Sequence, residues 1–116
     1  MPFLFQSSAF VEQSVKQELV NNRKSSILNL SAATFVRREG EGGGTYMQMI
    51  IPVNQGALKG ENKEKLTEQL ADEILRLTQG MPVEIAISDV KVRDVVKIPT
   101  LAISKECVVS MQLEQA

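Results

Sequence analysis

The sequence of 116 residues contains no histidine, no tryptophan and one cysteine, Cys107. Without histidine the chain cannot form Ser-His-Asp or Cys-His nucleophilic systems, HExxH zinc sites or histidine proton relays. A single cysteine excludes an intrachain disulfide and a cysteine-rich metal site. Catalysis would therefore depend on carboxylates, lysines, arginines, backbone amides or the terminal amine, and we expect no cofactor.

The chain also lacks a net positive charge and has few aromatic residues. The formal net charge is −1, which does not provide the basic surface that binding to a phosphate backbone requires. Four phenylalanines and one tyrosine are too few for a base-stacking platform. No apolar run approaches the roughly 20 residues that span a bilayer. We therefore expect neither nucleic acid nor a membrane as a partner.

Length and composition are those of one soluble globular domain, residues 1–116, with 43% hydrophobic and 23% charged residues. The N-terminal run MPFLFQSSAF has no positive charge and only a short apolar patch, so it does not resemble a secretory signal. These features predict a cytoplasmic protein, or a virion-associated one if it is a phage assembly protein.

Two segments have helical periodicity. The first helix is predicted over residues 9–22, and its apolar residues recur every fourth position: Val11, Val15 and Leu19. The second follows Asn62, a possible N-cap, and ends at Gly80. Its apolar stripe consists of Leu66, Leu70, Ile74 and Leu77. We also expect an ion pair between Asp72 and Arg76, four residues apart in this helix.

Several segments alternate as strands do. Residues 27–36 and 45–53 predict two strands joined by a glycine-rich hairpin loop, and residues 2–5 form either a short strand or the lead-in to the first helix. After the second helix, residues 83–87 alternate, but Val90 and Val92 have the opposite parity, which predicts a bulge or turn at Ser88 and Asp89. Further alternation follows Pro99 and continues to residue 113.

The predicted order is (β)αββαβββ, an α+β fold in which two helices pack on a mixed sheet of βαβ-like halves. Pro52 cannot donate to a strand ladder and therefore lies at an edge or a strand end. A sheet of this size leaves edges that a second copy can cover. We therefore expect a homo-oligomer, either a trimer or a hexamer.

The segment 37–45 contains the main candidate binding residues. Its glycines superficially resemble a phosphate-binding loop, but a strand follows them, whereas phosphate loops lead into a helix N-terminus. Arg37 and Arg38 beside the glycines could clamp a carboxylate or phosphate of an unknown partner, or be surface charge. Cys107 in an alternating strand is expected to be a buried, unreactive residue.

The sequence resembles the macrophage migration inhibitory factor-like tautomerases. The resemblance covers Met1, Pro2 and the apolar run MPFLF, then a helix, a strand, a loop ending Gly-Gly-Thr, another strand, a second helix and a strand. It implies that Pro2, after removal of Met1, is a general base that moves a proton next to the carbonyl of an α-keto acid. It also implies that Lys24 binds the substrate and that Asn54 lines the pocket.

The same element order is similar to that of non-enzymatic assembly proteins, such as phage tail-terminator or connector subunits that form homo-oligomeric rings. The absence of histidine and of a convergent polar cluster favours this alternative. The sequence therefore predicts either a tautomerase-like enzyme or a structural ring subunit, and a small regulatory binding module is a third possibility.

Overall fold

The fold is an α+β arrangement of two helices and one four-stranded sheet, as seen in a computed structural model that describes residues 3–58, 63–81 and 83–115. The elements in chain order are α1 (Phe3–Asn22), β1 (Thr34–Glu39), β2 (Thr45–Pro52), α2 (Lys63–Thr78), β3 (Val83–Lys97) and β4 (Ala102–Gln115). The predicted α+β class is therefore confirmed. Among the described residues, neither helix combines the length and apolar character that crossing a membrane would need.

The sheet has the strand order β1-β2-β4-β3, and every pairing in it is antiparallel. The expectation of a mixed sheet was wrong in this respect. The strands β2 and β3, joined through α2, do run in the same direction, but β4 lies between them, so no parallel neighbours result. This is a split βαβ unit, and it arises because β4 pairs locally with β3 as a long hairpin.

The N-terminal residues Phe3–Phe5 belong to α1 and not to a strand. No glycine or proline interrupts the run from Phe3 onwards, and Ser7 and Ser8 do not stop the helix, so it begins well before the predicted residue 9. The inward face of α1 is formed by Val15 and Leu19, both of which are buried.

The remaining strand boundaries also differ from the prediction. Instead of a strand over 27–36, Leu28 makes an isolated bridge to Val53, Leu30–Ala32 form a 3-10 turn, and β1 begins at Thr34. The C-terminal segments form two long strands and not three short ones. The predicted irregularity is confirmed, because the β3–β4 register shifts between Ile87 and Asp89.

Both helices pack on the same face of the sheet, where the hydrophobic core lies. The predicted apolar stripe of α2 is completely buried there. The sheet contributes alternate residues of β2 and β4 to this core: Met47, Met49, Ile51, Cys107, Val109 and Met111. The opposite face, here called the open face, is covered by no element of the described part of the chain.

Helix α2 ends at Thr78, and Gly80 just beyond it has a φ of 74°, the left-handed conformation that glycine allows and that was expected to end this helix. The expected ion pair between Asp72 and Arg76 is replaced by one between Arg76 and Glu73, three residues earlier. Glu73 lies nearer to the loop that follows α1, and Arg76 also donates to the Lys24 carbonyl of that loop. The two contacts join α2 to this loop through one guanidinium group.

Candidate functional site

Two of the predicted site residues, Lys24 and Asn54, line one shallow depression of about 390 Å³ beside the end of α1. The Asn54 side chain is occupied there, because its Nδ2 donates to the Ser26 carbonyl at 3.1 Å. Its backbone N–H donates to the Ile27 carbonyl at 2.8 Å. Asn54 therefore connects β2 to the loop after α1. Pro2, the proposed base, lies outside the described residues.

Arg37 and Arg38 project from opposite faces of β1, because successive residues of a strand alternate in direction. On the helix side, Arg37 Nη2 lies 3.0 Å from Glu12 Oε1 of α1. On the open face, Arg38 Nε donates to Gln48 Oε1 at 3.1 Å. In this strand the two guanidinium groups cannot converge on one carboxylate or phosphate.

The glycine-rich segment forms the turn of the β1–β2 hairpin. Glu41–Gly43 make a 3-10 turn, and the Gly40 N–H donates to the Gly44 carbonyl at 2.7 Å. Gly42 and Gly43 have φ values of 82° and 88°. Because Thr45 then begins β2, the turn presents no helix N-terminus to an anion.

Neither a reactive thiol nor a metal-binding cluster is found in the described residues. Cys107 is fully buried, and burial raises the pKa of its thiol to about 12, so it is not a nucleophile at neutral pH. Within the described ranges, no three histidine, cysteine, aspartate or glutamate residues lie close enough to hold a metal ion.

The open face carries a groove of about 610 Å³ across β2, β4 and β3, with several polar side chains in its lining. Its floor is hydrogen-bonded within the sheet: Gln48 Nε2 donates to Ser110 Oγ at 3.3 Å, and Ser88 Oγ donates to the Ser110 carbonyl at 3.1 Å. Amide and hydroxyl groups in such a groove can bind a ligand, and the charged side chains of Asp89 and Lys91 also line it.

A second feature extends from the sheet. Strand β2 ends its regular pairing with β4 at Pro52, opposite Glu106, and the Val53 N–H beyond it donates to the Lys105 carbonyl at 2.9 Å. From Asp94 with Lys105 at the base to Lys97 with Ala102, β3 and β4 continue as a pair, and past Lys105 no other strand of the described residues pairs with them. We call this two-stranded segment, residues 94–105, the arm. Four residue pairs and the turn give it a length of about 15 Å.

The end of the arm is apolar and exposed. The exposed fractions are 53% for Val96, 85% for Ile98, 68% for Leu101 and 64% for Ile103. Val96 and Ile103 are cross-strand partners. They continue the helix-covered face of the sheet beyond the helices, and the ion pair between Asp94 and Lys105 lies between them and the core.

Leu101 adopts an unusual backbone conformation in the turn of the arm. Its φ is 56°, in the left-handed region, and its N–H donates to the Lys97 carbonyl at 2.7 Å. A left-handed residue with a β-carbon costs about 1–2 kcal/mol, and glycine or asparagine is the usual occupant. The exposed leucine side chain gains no packing within the chain that would offset this cost.

The sequence prediction found the strands of the arm but not the arm itself. The turn at Ile98–Leu101 lacks the Asn-Gly or Gly-Gly pair that marks most tight hairpins. The sequence does contain one indication of the arm. Val95 and Val96 are adjacent apolar residues, whereas a strand that is buried on only one face alternates apolar and polar residues. Such a pair indicates that both faces of the strand meet apolar partners.

No protein-family model, curated protein or solved structure matches this chain. Its function is therefore argued from the geometry of its own residues.

Proposed function

We propose that this protein is a non-catalytic assembly subunit that associates with copies of itself through the arm. The observation that carries this proposal is the exposure of four large apolar side chains at the end of a hairpin that no third strand or helix of the described residues covers. Full burial of one such side chain contributes about 1.5–3 kcal/mol. Contiguous apolar surface of this kind is typical of a protein interface.

The stability of the arm itself supports an intermolecular role. A two-stranded hairpin is at best marginally stable in water without a third strand or a packed face. The charged pairs at its base, Asp94 with Lys105 and Arg93 with Glu106, hold the strands together but are partly exposed, and such pairs contribute less than about 1 kcal/mol each. Packing against a second copy would supply the missing apolar cover.

Leu101 gives an independent argument. A residue that breaks a local conformational rule without a gain in folding energy is expected where function requires its side chain. Leu101 meets this description, because it combines a φ of 56° with an exposed side chain. A contact made only in the assembly would account for a leucine at this position.

The ring subunit predicted from the sequence, of the phage tail-terminator or connector kind, is a special case of this proposal. Closed rings require one surface of each copy to bind a different surface of the next. The single exposed arm is suited to that arrangement. Both a trimer and a hexamer can form as closed rings of this kind.

Sedimentation velocity at micromolar concentration tests the proposal. We expect the wild-type chain to sediment as a species heavier than its 12.8 kDa subunit mass. The arm variant, Ile98→Ser with Leu101→Asn, should sediment as a monomer with an unchanged circular dichroism spectrum. Val20→Ser removes another exposed apolar side chain, in α1, and should assemble like the wild type. A monomeric wild type, or an arm variant that assembles normally, would disprove the proposal.

The tautomerase prediction is the competing function, and the observation favouring it is the shared depression of Lys24 and Asn54. It requires an N-terminal Pro2, because a retained Met1 would convert the proline nitrogen to a non-basic amide. Intact mass combined with a phenylpyruvate enol-keto assay separates the two functions. We expect no activity that depends on Pro2, whereas an enzyme would lose its activity in Pro2→Ala.

A further inference from the structure

We infer that the arm of one copy binds the outward face of α2 of a neighbouring copy. This inference rests on the proposed arm-mediated assembly and names the surface that receives the arm. The receiving surface is a narrow row of exposed residues on the side of α2 opposite its buried stripe. We call this row the α2 stripe; its members are Glu68, Asp72, Leu75 and Gln79.

The helical repeat places these four residues in one row. Positions separated by four, seven and eleven residues from Glu68 lie within about 60° of each other on a helix with 3.6 residues per turn. Leu75 in the middle of the row is 64% exposed. A leucine surrounded by acids and an amide on a solvent-facing row is an apolar anchor point that the described residues leave uncovered.

The charges of the two surfaces are complementary. Within the arm, Asp94 and Lys105 pair with each other, which leaves Lys97 as a cation next to Val96 and Ile98. On the α2 stripe, no ion pair among the described residues includes Glu68 or Asp72. The flanking cations, Lys65 and Arg76, already have interactions within the chain. An apolar tip with one lysine therefore complements a leucine beside two carboxylates that have no ion pair among the described residues.

The arm and the α2 stripe do not cover each other's apolar side chains within one molecule. Leu75 and the four apolar side chains of the arm are all exposed in the single chain. The arm continues β3 and β4 beyond the part of the sheet that the helices cover, so contact requires a second copy. The contact is heterologous, because one surface binds a different surface, and repeated use of it gives a ring if the rotation closes.

A complementation experiment tests this assignment. The stripe variant Leu75→Lys replaces the apolar anchor by a cation that repels Lys97, at an exposed position where lysine is compatible with a helix. The matched control Val20→Lys makes the same type of change at another exposed helical site. We expect the stripe variant and the arm variant each to sediment as monomers, and Val20→Lys to assemble normally.

An equimolar mixture of the two monomeric variants is the decisive sample. Each contributes the surface that the other lacks, so we expect a heterodimer of twice the 12.8 kDa subunit mass and nothing larger. Binding of one arm to another arm predicts no complementation and normal assembly of Leu75→Lys. Either of these two results would overturn the inference while leaving arm-mediated assembly intact. A monomeric wild type would instead overturn the proposed function.

Charge reversal gives a second measurement that does not depend on Leu75. Lys97→Glu should raise the dissociation constant of the assembly about tenfold, because it places a carboxylate near two others. Asp72→Lys combined with Lys97→Glu should restore most of the lost affinity. If Asp72→Lys leaves the Lys97→Glu defect unchanged, Lys97 does not meet the α2 stripe and the inference is wrong.

Discussion

The hydroxyl of Ser25 donates a hydrogen bond of 2.6 Å to the carboxylate of Glu73, which ties the loop after α1 to the middle of α2. The same oxygen accepts hydrogen bonds from the backbone N–H groups of Ile27 and Leu28, at 3.2 and 3.0 Å. Arg76 donates to the other oxygen of the Glu73 carboxylate. The network therefore fixes the loop before β1 and gives the fold a pH-sensitive connection.

Glu73 should make the stability of the fold depend on pH. The hydrogen bond from Arg76 lowers its pKa below the ordinary value of 4.5, and that from Ser25 adds to this, although partial burial opposes them. A carboxylate with a lowered pKa stabilises the folded state above the ordinary value, and this contribution is lost as the pH falls through the folded-state pKa.

The variant Glu73→Gln should therefore be less stable than its parent near neutral pH, and the difference should shrink at pH about 3. Urea unfolding in the arm variant measures this without a contribution from assembly. Glu68→Gln removes a carboxylate at an exposed position without an ion pair among the described residues, and should change the free energy of unfolding by less than about 0.5 kcal/mol at neutral pH. A Glu73→Gln defect that grows on acidification would contradict the assignment.

Cys107 should report global unfolding. Its buried thiol has a pKa raised to about 12, so hardly any thiolate exists at neutral pH. We expect Ellman's reagent to react with the native protein at a rate that increases with urea and follows the unfolding equilibrium. Rapid reaction of the native chain, at the rate of a free thiol in solution, would show that the core around β4 opens locally.

Two leucines of α2 offer a matched test of the core. Leu70 is completely buried, whereas Leu75, five residues later, is 64% exposed. Leu70→Ala should lower the free energy of unfolding by about 2–5 kcal/mol through lost burial and a residual cavity. Leu75→Ala should change it by less than about 0.5 kcal/mol in the arm variant. Equal losses of unfolding free energy in the two variants would mean that the face of α2 containing Leu70 does not pack against the sheet.

The hairpin turn between β1 and β2 offers a similar pair. Gly43 has a φ of 88°, whereas Gly44 has a φ of −79°, and a β-carbon would meet no atom within 4 Å at either position. Gly43→Ala should therefore lower the free energy of unfolding by about 1 kcal/mol or more through backbone strain alone. Gly44→Ala should leave it unchanged or raise it slightly. Equal effects would mean that the turn is not held in this conformation.

The parts of the fold that were predicted correctly are those with a periodic local signal. The buried apolar residues of α2 and the alternating face of β2 follow from helical and strand spacing; in α2 they are Leu66, Leu70, Ile74 and Leu77. The bulge in β3 follows from the change of parity after Ile87. Residues 2–5 are too few to show a period, so the sequence could not distinguish a strand there from the first turn of α1.

The strand order and the arm could not be read from local patterns. Placing β4 between β2 and β3 depends on pairings between distant residues, such as Met47 with Met111, for which the local sequence carries no signal. Exposure of the arm depends on where β2 stops and which surface the helices cover. Isolated apolar residues such as Ile98 and Leu101 look the same in sequence whether a strand is buried or projects from the fold.

The place of β4 in the sheet also has a consequence for synthesis on the ribosome. Both helices and three strands leave the ribosome before the strand that joins β2 to β3. Until then β2 lacks a hydrogen-bonding partner on one edge, and its buried face, including Met49, has incomplete cover. Nonlocal pairing of this kind is slow and exposes chains to aggregation. We therefore expect a nascent chain halted before Ala102 to be bound by chaperones instead of forming a stable folding intermediate.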